Sequence, residues 1–488
     1  MKSNPMRKTP LARLLSLGAA AVLAGCSMAP TYERPAAPIA TDWPGLRLSK
    51  SLGSAPPAAS ASVRTVAAAD IEWQSFFSDP KLRLLIDAAL RNNRDLRIAV
   101  LNIEQARAQF QIRRADQFPT VGAAATGSRQ PAAGGNISSV YTAGLAMTSY
   151  EIDFFGRVAS LKDAALAQYL ATDEGRKTTQ ISLIASVANT WLSLLADEEL
   201  LAITEQTLAT REESFKLSQL RFDNGITSEL DLRQAESLAE AARISRAQLQ
   251  RQRAQGENLL TLLVGQPLSG ELAAALPRGQ ALADAPLMVD VPAGLPSDLL
   301  TKRPDIRQAE QQLLSANANI GAARAAFFPR ISLTASAGSV STSLSGLFES
   351  GSYGWTLAPQ LFLPLFDAGR NRAGLDTANV NRDIAVAQYE KTIQTAFREV
   401  ADALAGRATL GEQLRAQQAQ ADAEGVRFKL SDLRYQNGIA NQLDLLDAQR
   451  SVFAARQAVV QTRLLQLQNQ VTLYKTLGGG WKEPAATP

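Results

Sequence analysis

The chain contains nearly the same segment twice. LRFDNGITSELDLRQAE begins at Leu220, and LRYQNGIANQLDLLDAQ begins 213 residues later at Leu433. Two further marks, a Phe-Pro pair and a Gly-Arg pair, recur at similar distances. They lie at 118–119 and 328–329, and at 156–157 and 369–370. Self-similarity at a long period indicates a repeat architecture, so we predict two similar halves.

The repeat sets the predicted organisation of the chain. The segments are a signal peptide (1–25), an extended N-terminal tether (26–70), repeat 1 (71–290), repeat 2 (296–480) and a C-terminal tail (481–488). Residues 26–70 are rich in Pro, Ala and Ser, a composition that cannot bury a core of its own. Each repeat is predicted to hold helices, one β-hairpin and one long helical hairpin. The β-hairpins are expected at about 119–155 and about 329–366.

Long stretches of the chain contain no proline. None lies between Arg157 and Gln266, and none between Leu365 and Glu483. Because an interior proline costs a helix about 3 kcal/mol, both stretches are predicted to be uninterrupted helices. Their apolar residues recur every seven positions, which is typical of coiled coils. These are Val187, Leu194, Leu201, Leu208, Phe215 and Phe222, and Leu446, Phe453, Val460, Leu467 and Tyr474.

The repeated NG dipeptides are predicted to be the tips of helical hairpins. Glycine suits the left-handed position that follows a helix end. A cap residue and a first-turn acid then begin the next helix. The tip residues are Asn224 and Gly225, with Asn437 and Gly438; the caps and acids are Ser228 and Asp231, with Asn441 and Asp444.

Two segments are almost free of charge. Positions 119–150 contain only Arg129, and positions 331–366 contain only Glu349. Apolar and small residues alternate along them, which indicates strands. Each segment is long enough for two strands of about ten residues, the length that crosses a bilayer. They could equally be soluble hairpins packed on the helices. If they span a membrane, several chains must pool their strands, because four cannot close a barrel.

The N-terminus carries an export signal. Residues 1–25 hold four basic residues, no acid and an apolar run, the pattern of a signal peptide. The run ends in LAGC, which resembles a bacterial lipobox and implies cleavage before Cys26 and lipid on that residue. Ser27 is compatible with the outer membrane. Without this leader the chain has 46 basic and 46 acidic residues, so no nucleic-acid partner is inferred.

The composition disfavours catalysis. The chain has no histidine and one cysteine, which removes the usual triad base and the commonest metal ligand. No nucleotide-binding or hydrolase motif is present, so we expect no enzymatic activity, no metal and no cofactor.

Taken together, the lipobox, the duplicated halves, the FP and GR marks and the NG tips resemble the TolC family. The segments APTYERPAAP and IEWQSFFSDP are most similar to its OprM-type lipoproteins. This resemblance implies a mainly helical fold with a β membrane part. Three chains would form a twelve-stranded outer-membrane barrel and a periplasmic α-barrel. It also implies a passive exit duct for multidrug efflux, working with a periplasmic adaptor and an inner-membrane transporter of the resistance-nodulation-division class.

The resemblance assigns a channel gate to the second tip. Residue by residue, the gate falls on Tyr435, Asp444 and Asp447, with Asp231 from the first repeat. An arginine of the family's gate is replaced by Ala440, and Arg434 or Arg221 could take its place. The residues themselves leave ordinary capping open for Asp231 and Asp444, and a solvated helix face for Asp447.

Other functions of the same chain remain open from sequence. One is an outer-membrane duct for protein secretion. Another is a structural coiled-coil lipoprotein that tethers the membrane, although the alternating strands argue against it.

Overall fold

The computed structural model describes residues 28–40, 42–43, 67–131, 137–285, 288–292, 294 and 296–482. The helices are α1 (Trp73–Phe76), α2 (Pro80–Asn92), α3 (Arg94–Ala115), α4 (Arg157–Asp223), α5 (Glu229–Val264), α6 (Glu271–Ala274), α7 (Pro296–Lys302), α8 (Pro304–Ala325), α9 (Arg370–Gln436) and α10 (Gln442–Thr476). The strands are β1 (Val121–Pro131), β2 (Ile137–Ile152), β3 (Arg330–Ser341) and β4 (Tyr353–Phe362). Short 3-10 helices lie at Ala68–Asp70 and Leu282–Asp284. The signal peptide and Cys26 lie outside the described residues.

The described residues divide into two compact units. One contains the sheet, with the chain up to residue 36, residues 101–173 and residues 308–391. The other contains residues from 37 to 100, 174 to 307 and 392 onwards, and it includes both hairpin tips. Each unit contains residues of both predicted repeats.

The sheet joins the two repeats at its centre. Its order is β1-β2-β3-β4 and every neighbouring pair is antiparallel. The pair β2–β3 links the hairpin of repeat 1 to that of repeat 2, with Tyr141 opposite Ser341. Within the described residues, β1 and β4 are therefore edge strands. Large apolar side chains of β4 face outward, including Trp355 at 70% exposure and Leu361 at 64%.

A charge cluster fixes the base of the sheet. The side chain of Glu151, near the end of β2, accepts hydrogen bonds from Arg157 Nε at 2.7 Å and Arg157 NH2 at 2.6 Å. Arg330 NH2, at the start of β3, donates to the same carboxylate at 2.8 Å. Arg157 is the arginine of the first GR mark. The mark therefore ties helix α4 to the two central strands.

The two proline-free stretches are helical, as predicted. Helices α4 and α9 each contain 67 residues. Most heptad positions are buried, among them Val187 at 0% exposure and Leu194 at 2%. The apolar heptad residues are less buried toward the hairpin tip, where Phe222 is 36% exposed. Helix α4 is also long and apolar enough to span a membrane by composition, but 67% of its most apolar window is buried within the fold.

The second unit is closed by aromatic packing around the end of α10. The Phe76 ring stacks on Tyr474 with centroids 4.0 Å apart. The Tyr474 hydroxyl donates to the Ile71 carbonyl at 2.6 Å. Trp43 is 1% exposed and stacks on Phe397 at 4.9 Å. The IEWQSFF segment therefore helps to anchor α10.

Candidate functional site: the two hairpin tips

The two tips share one backbone turn. Gly225 has φ +69° and Gly438 has φ +70°, the left-handed conformation in which glycine carries no steric penalty. In the first tip Ile226 N donates to Arg221 O at 2.8 Å. In the second, Ile439 N donates to Arg434 O at 2.8 Å. These bonds satisfy carbonyls that each helix end would leave unpaired.

The first tip uses its acid as a helix cap. The Ser228 hydroxyl accepts a hydrogen bond from Asp231 N at 3.2 Å. The Asp231 carboxylate in turn accepts from Ser228 Oγ at 2.7 Å and from Thr227 Oγ1 at 2.9 Å. The Ser228 and Thr227 hydroxyls hold the pKa of Asp231 below its usual value. The carboxylate of Asp231 is thus engaged within its own turn.

The second tip leaves its acid free within the chain. Asn441 Oδ1 accepts from Asp444 N at 2.8 Å, which caps α10. The hydroxyls of Thr227 and Ser228 have no counterpart here, because those positions hold Ala440 and Asn441. The Asp444 carboxylate is exposed and has no side-chain hydrogen bond or ion pair with any residue that the structure describes. Its donors must come from solvent or from another chain.

Tyr435 joins the two tips of one chain. Its hydroxyl accepts a hydrogen bond from Arg221 NH1 at 2.5 Å. The Arg221 guanidinium also lies over the Tyr435 ring, 5.3 Å from its centroid. Of the two arginines considered from sequence, Arg221 therefore contacts this gate residue. Arg434 instead lines a cavity beside Asp444 and Asp447.

Asp447 has an arginine partner in its own chain. Its carboxylate forms an ion pair with Arg427 on α9 and lies 3.5 Å from Arg450 NH2. In the first repeat the three corresponding positions, 213 residues earlier, are Ser214, Gln234 and Ser237. All three charges therefore belong to the second tip alone.

The predicted gate residues do not all lie in one cavity. Asp444 and Asp447 line one cavity on the second hairpin. Asp231 keeps its carboxylate in the first turn, although its backbone carbonyl accepts from Gln442 Nε2 at 3.3 Å. Gln442 Nε2 also donates to Ser218 Oγ at 2.9 Å. The start of α10 is thereby bonded to the first hairpin.

The family follows from comparison with known proteins. A family model described as "Outer membrane efflux protein" matches residues 85–266 and 295–479. The chain belongs to this family. Outer membrane protein OprJ of Pseudomonas aeruginosa is 47% identical over 486 residues, 98% of each chain. The probable efflux pump outer membrane protein TtgC of Pseudomonas putida is 48% identical over 478 residues, 96% of each chain.

Solved structures of the family have the same fold. The open state of the Neisseria gonorrhoeae MtrE outer membrane channel matches with a TM-score of 0.82 and 40% identity, over 95% of this chain and 100% of that one. A membrane protein from Pseudomonas aeruginosa matches with a TM-score of 0.84 and 46% identity, over 94% and 99%. The chain is an outer-membrane efflux channel that extends into the periplasm, and it is not an enzyme. Its family works in tripartite pumps with an adaptor and an inner-membrane transporter.

Sequence reasoning did not predict that Arg427 and Arg450 contact Asp447. Arg427 and Asp447 each lie ten residues from Asn437, so equal distances from the turn would have paired them across an antiparallel hairpin. The Arg221–Tyr435 contact carried no such signal, because it depends on how the two hairpins pack against each other.

Proposed function

We propose that three copies of this chain form one closed channel. The observation that carries this proposal is the sheet order, which leaves β1 and β4 as edges within the described residues. Unpaired strand edges are not tolerated in lipid. Pairing β4 of one chain with β1 of the next would close twelve strands, and the outward-facing apolar residues of β4 would then meet lipid.

The channel acts as the passive exit duct of a multidrug efflux pump. It receives substrate from a periplasmic adaptor and an inner-membrane transporter of the resistance-nodulation-division class, which supplies the energy. The names of relatives such as TtgC support this role. The exposed hairpin tips at Asn224, Gly225, Asn437 and Gly438 are the proposed adaptor contacts.

The gate lies at the second tip. Tyr435, Asp444 and Asp447 hold the periplasmic entrance closed, with Asp231 shaping the first tip beside them. The exposed Asp444 carboxylate supports this assignment, because it has no side-chain partner among the described residues of its own chain. In a ring of three chains it can accept hydrogen bonds from a neighbour. Such bonds to a charged group contribute about 1.5–3 kcal/mol each.

Conductance in a planar bilayer tests the gate. Combining Asp444→Ala with Asp447→Ala should raise the resting conductance by about tenfold or more, since 1.4 kcal/mol corresponds to tenfold in an equilibrium. The amount of trimer should not change. Gln234→Ala, at the matching position of the first tip, is the control and should conduct like the parent. The proposal is wrong if the double variant has the resting conductance of the parent, or if Gln234→Ala raises the conductance as much as the double variant does.

The mature chain is anchored by lipid on Cys26. The lipobox LAGC, which contains the only cysteine in the chain, supports this proposal. Mass spectrometry of the mature N-terminus should find an acylated cysteine and none of residues 1–25. An unmodified Cys26 would exclude the anchor, although the sheet would still hold the channel in the membrane.

A further inference from the structure

The segment after Cys26 lies along helix α8. Residues 28–34, here named the strap, contact one face of that helix within a single compact unit. Its contacts are with Glu310, Asn317, Gly321 and Arg324. Steps of seven, four and three residues return to the same side of an α-helix. We call this face the α8 track.

Polar contacts hold both ends of the strap. At one end Arg34 Nε and NH2 donate to the two oxygens of Glu310 at 2.7 and 2.8 Å, and Tyr32 Oη donates at 3.1 Å. Glu310 is only 8% exposed, so its charge is satisfied by the strap. Further along, Asn317 Nδ2 donates to Pro30 O at 2.8 Å. Arg324 NH1 donates to Met28 O at 3.3 Å.

Gly321 makes room for the strap. A Cβ atom at this position would lie 2.8 Å from Ala29 N and 2.9 Å from Ala29 Cα. These distances are shorter than real Cβ contacts, and backbone atoms cannot yield as a flexible side chain can. A glycine is therefore required for the strap backbone to approach α8 this closely.

The lengths of strap and track agree. From Glu310 to Arg324 the helix rises about 21 Å at 1.5 Å per residue. From Arg34 back to Met28 is six residues, which span about 20–22 Å when fully extended. The order of the contacts, Arg34 with Glu310 and Met28 with Arg324, makes the strap antiparallel to α8, and its backbone bends at Ala29. Pro30 limits the conformations open to the strap by fixing its own φ.

We propose that the α8 track is a dedicated docking site for this strap, and that docking fixes where the lipid-anchored N-terminus leaves the protein. Met28 is bonded near the end of α8, and β3 begins five residues after that helix. Two residues of chain reach at most about 7 Å, so the acyl chains would start close to the base of the sheet. The lipid anchor would then attach to the membrane at a fixed position, next to the base of the sheet. The role of the strap rests on the proposed lipid anchor; its docking does not.

Limited proteolysis of the full-length membrane-extracted protein tests docking and lipidation separately. Endoproteinase Glu-C cuts after Glu33, and the strap must leave the track for the protease to bind it. The rate of this cut, relative to the same cut in heat-denatured protein, reports docking. The mass of the released peptide from Cys26 to Glu33 reports lipidation.

Glu310→Gln should speed the cut at Glu33 by at least tenfold in protein that remains folded. Arg34→Gln leaves α8 unchanged and should have a similar effect. The double variant should be no faster than either single variant, since both remove the same interaction. Glu104→Gln is the matched control: Glu104 also lies on a helix of this unit, with Arg107 3.9 Å away, and its loss should leave the rate unchanged.

Three outcomes would overturn the docking site. These are a parent protein cut as fast as its denatured form, a Glu310→Gln variant cut no faster than the parent, and additive effects in the double variant. An unacylated peptide released slowly from the parent would instead refute the anchor and leave the docking site standing.

Discussion

The two hairpin tips have the same backbone and use their first-turn acid in opposite ways. Asp231 is held by the hydroxyls of Thr227 and Ser228. Asp444, at the matching position, follows Ala440 and Asn441 and has an exposed carboxylate. Two neighbouring side chains therefore decide whether an acid stabilises its own helix or is available to another chain. The NG motif determines the turn, and the residues that flank it determine how the first-turn acid is hydrogen-bonded.

The helices that follow the tips also differ in which face carries charge. On α5, Glu229, Arg233 and Glu236 form ion pairs at an exposed face. The matching positions on α10 are Gln442, Leu446 and Gln449, and all three are buried. The charges of α10 instead lie on the face of Asp447 and Arg450. The second repeat thus buries the face that the first exposes.

The largest expected effect comes from giving the second tip the hydroxyls of the first. Ala440→Thr combined with Asn441→Ser should engage Asp444 in its own turn and withdraw it from the ring. A lost charge-assisted hydrogen bond of about 1.5–3 kcal/mol should raise the resting conductance about tenfold. The reverse exchange, Thr227→Ala with Ser228→Asn, keeps a competent cap and should leave conductance unchanged. If both exchanges raise the resting conductance, the unpartnered Asp444 carboxylate is not what distinguishes the two tips.

Substitution of the two turn glycines should have a smaller effect, and the effect should be the same at both tips. Gly225→Val and Gly438→Val should each cost about 1–2 kcal/mol, because both force a branched side chain into a left-handed conformation. No heavy atom lies within 4 Å of a Cβ built at either site. The cost of each substitution within the chain therefore comes from backbone strain and not from a steric clash. Copurification with the adaptor should weaken to a similar extent for both, while trimers persist. A loss confined to one variant would show that the adaptor distinguishes the tips.

The smallest effect is a difference in acid sensitivity. The hydroxyls around Asp231 lower its pKa. The stability that this contributes is present above the unfolded-state pKa of about 3.9 and is lost as pH falls through the lower folded-state value. Amides at the start of α5 should then lose some hydrogen-exchange protection, by at most the roughly 0.3–1 kcal/mol that a carboxylate in the first helical turn contributes. The Asn441 cap does not titrate, so equal losses at both tips would contradict this account. Thr227→Val combined with Ser228→Ala, which removes both hydroxyls from Asp231, should abolish the difference.

The sequence predicts the parts of this molecule that depend on local chemistry. Proline-free stretches gave the two 67-residue helices, and NG with a following cap residue gave the turns. Contacts between distant segments were not predictable. The Arg221–Tyr435 bond depends on the packing of two hairpins. The strap belongs to the segment 26–70, whose Pro-, Ala- and Ser-rich composition indicates no core, yet Tyr32 and Arg34 bind a glutamate 276 or more residues away.

The central strand pair implies an order of folding. β1 and β2 are joined by a five-residue connection, from Pro131 to Ile137. The paired residues Ile152 of β2 and Ile331 of β3 are separated by the 178 residues 153–330. Since loop-closure entropy grows with the logarithm of loop length, joining β2 to β3 costs about 3 kcal/mol more than closing the hairpin. We therefore expect each hairpin to form first, and the two halves of the sheet to pair only once the long helices between them have shortened that loop.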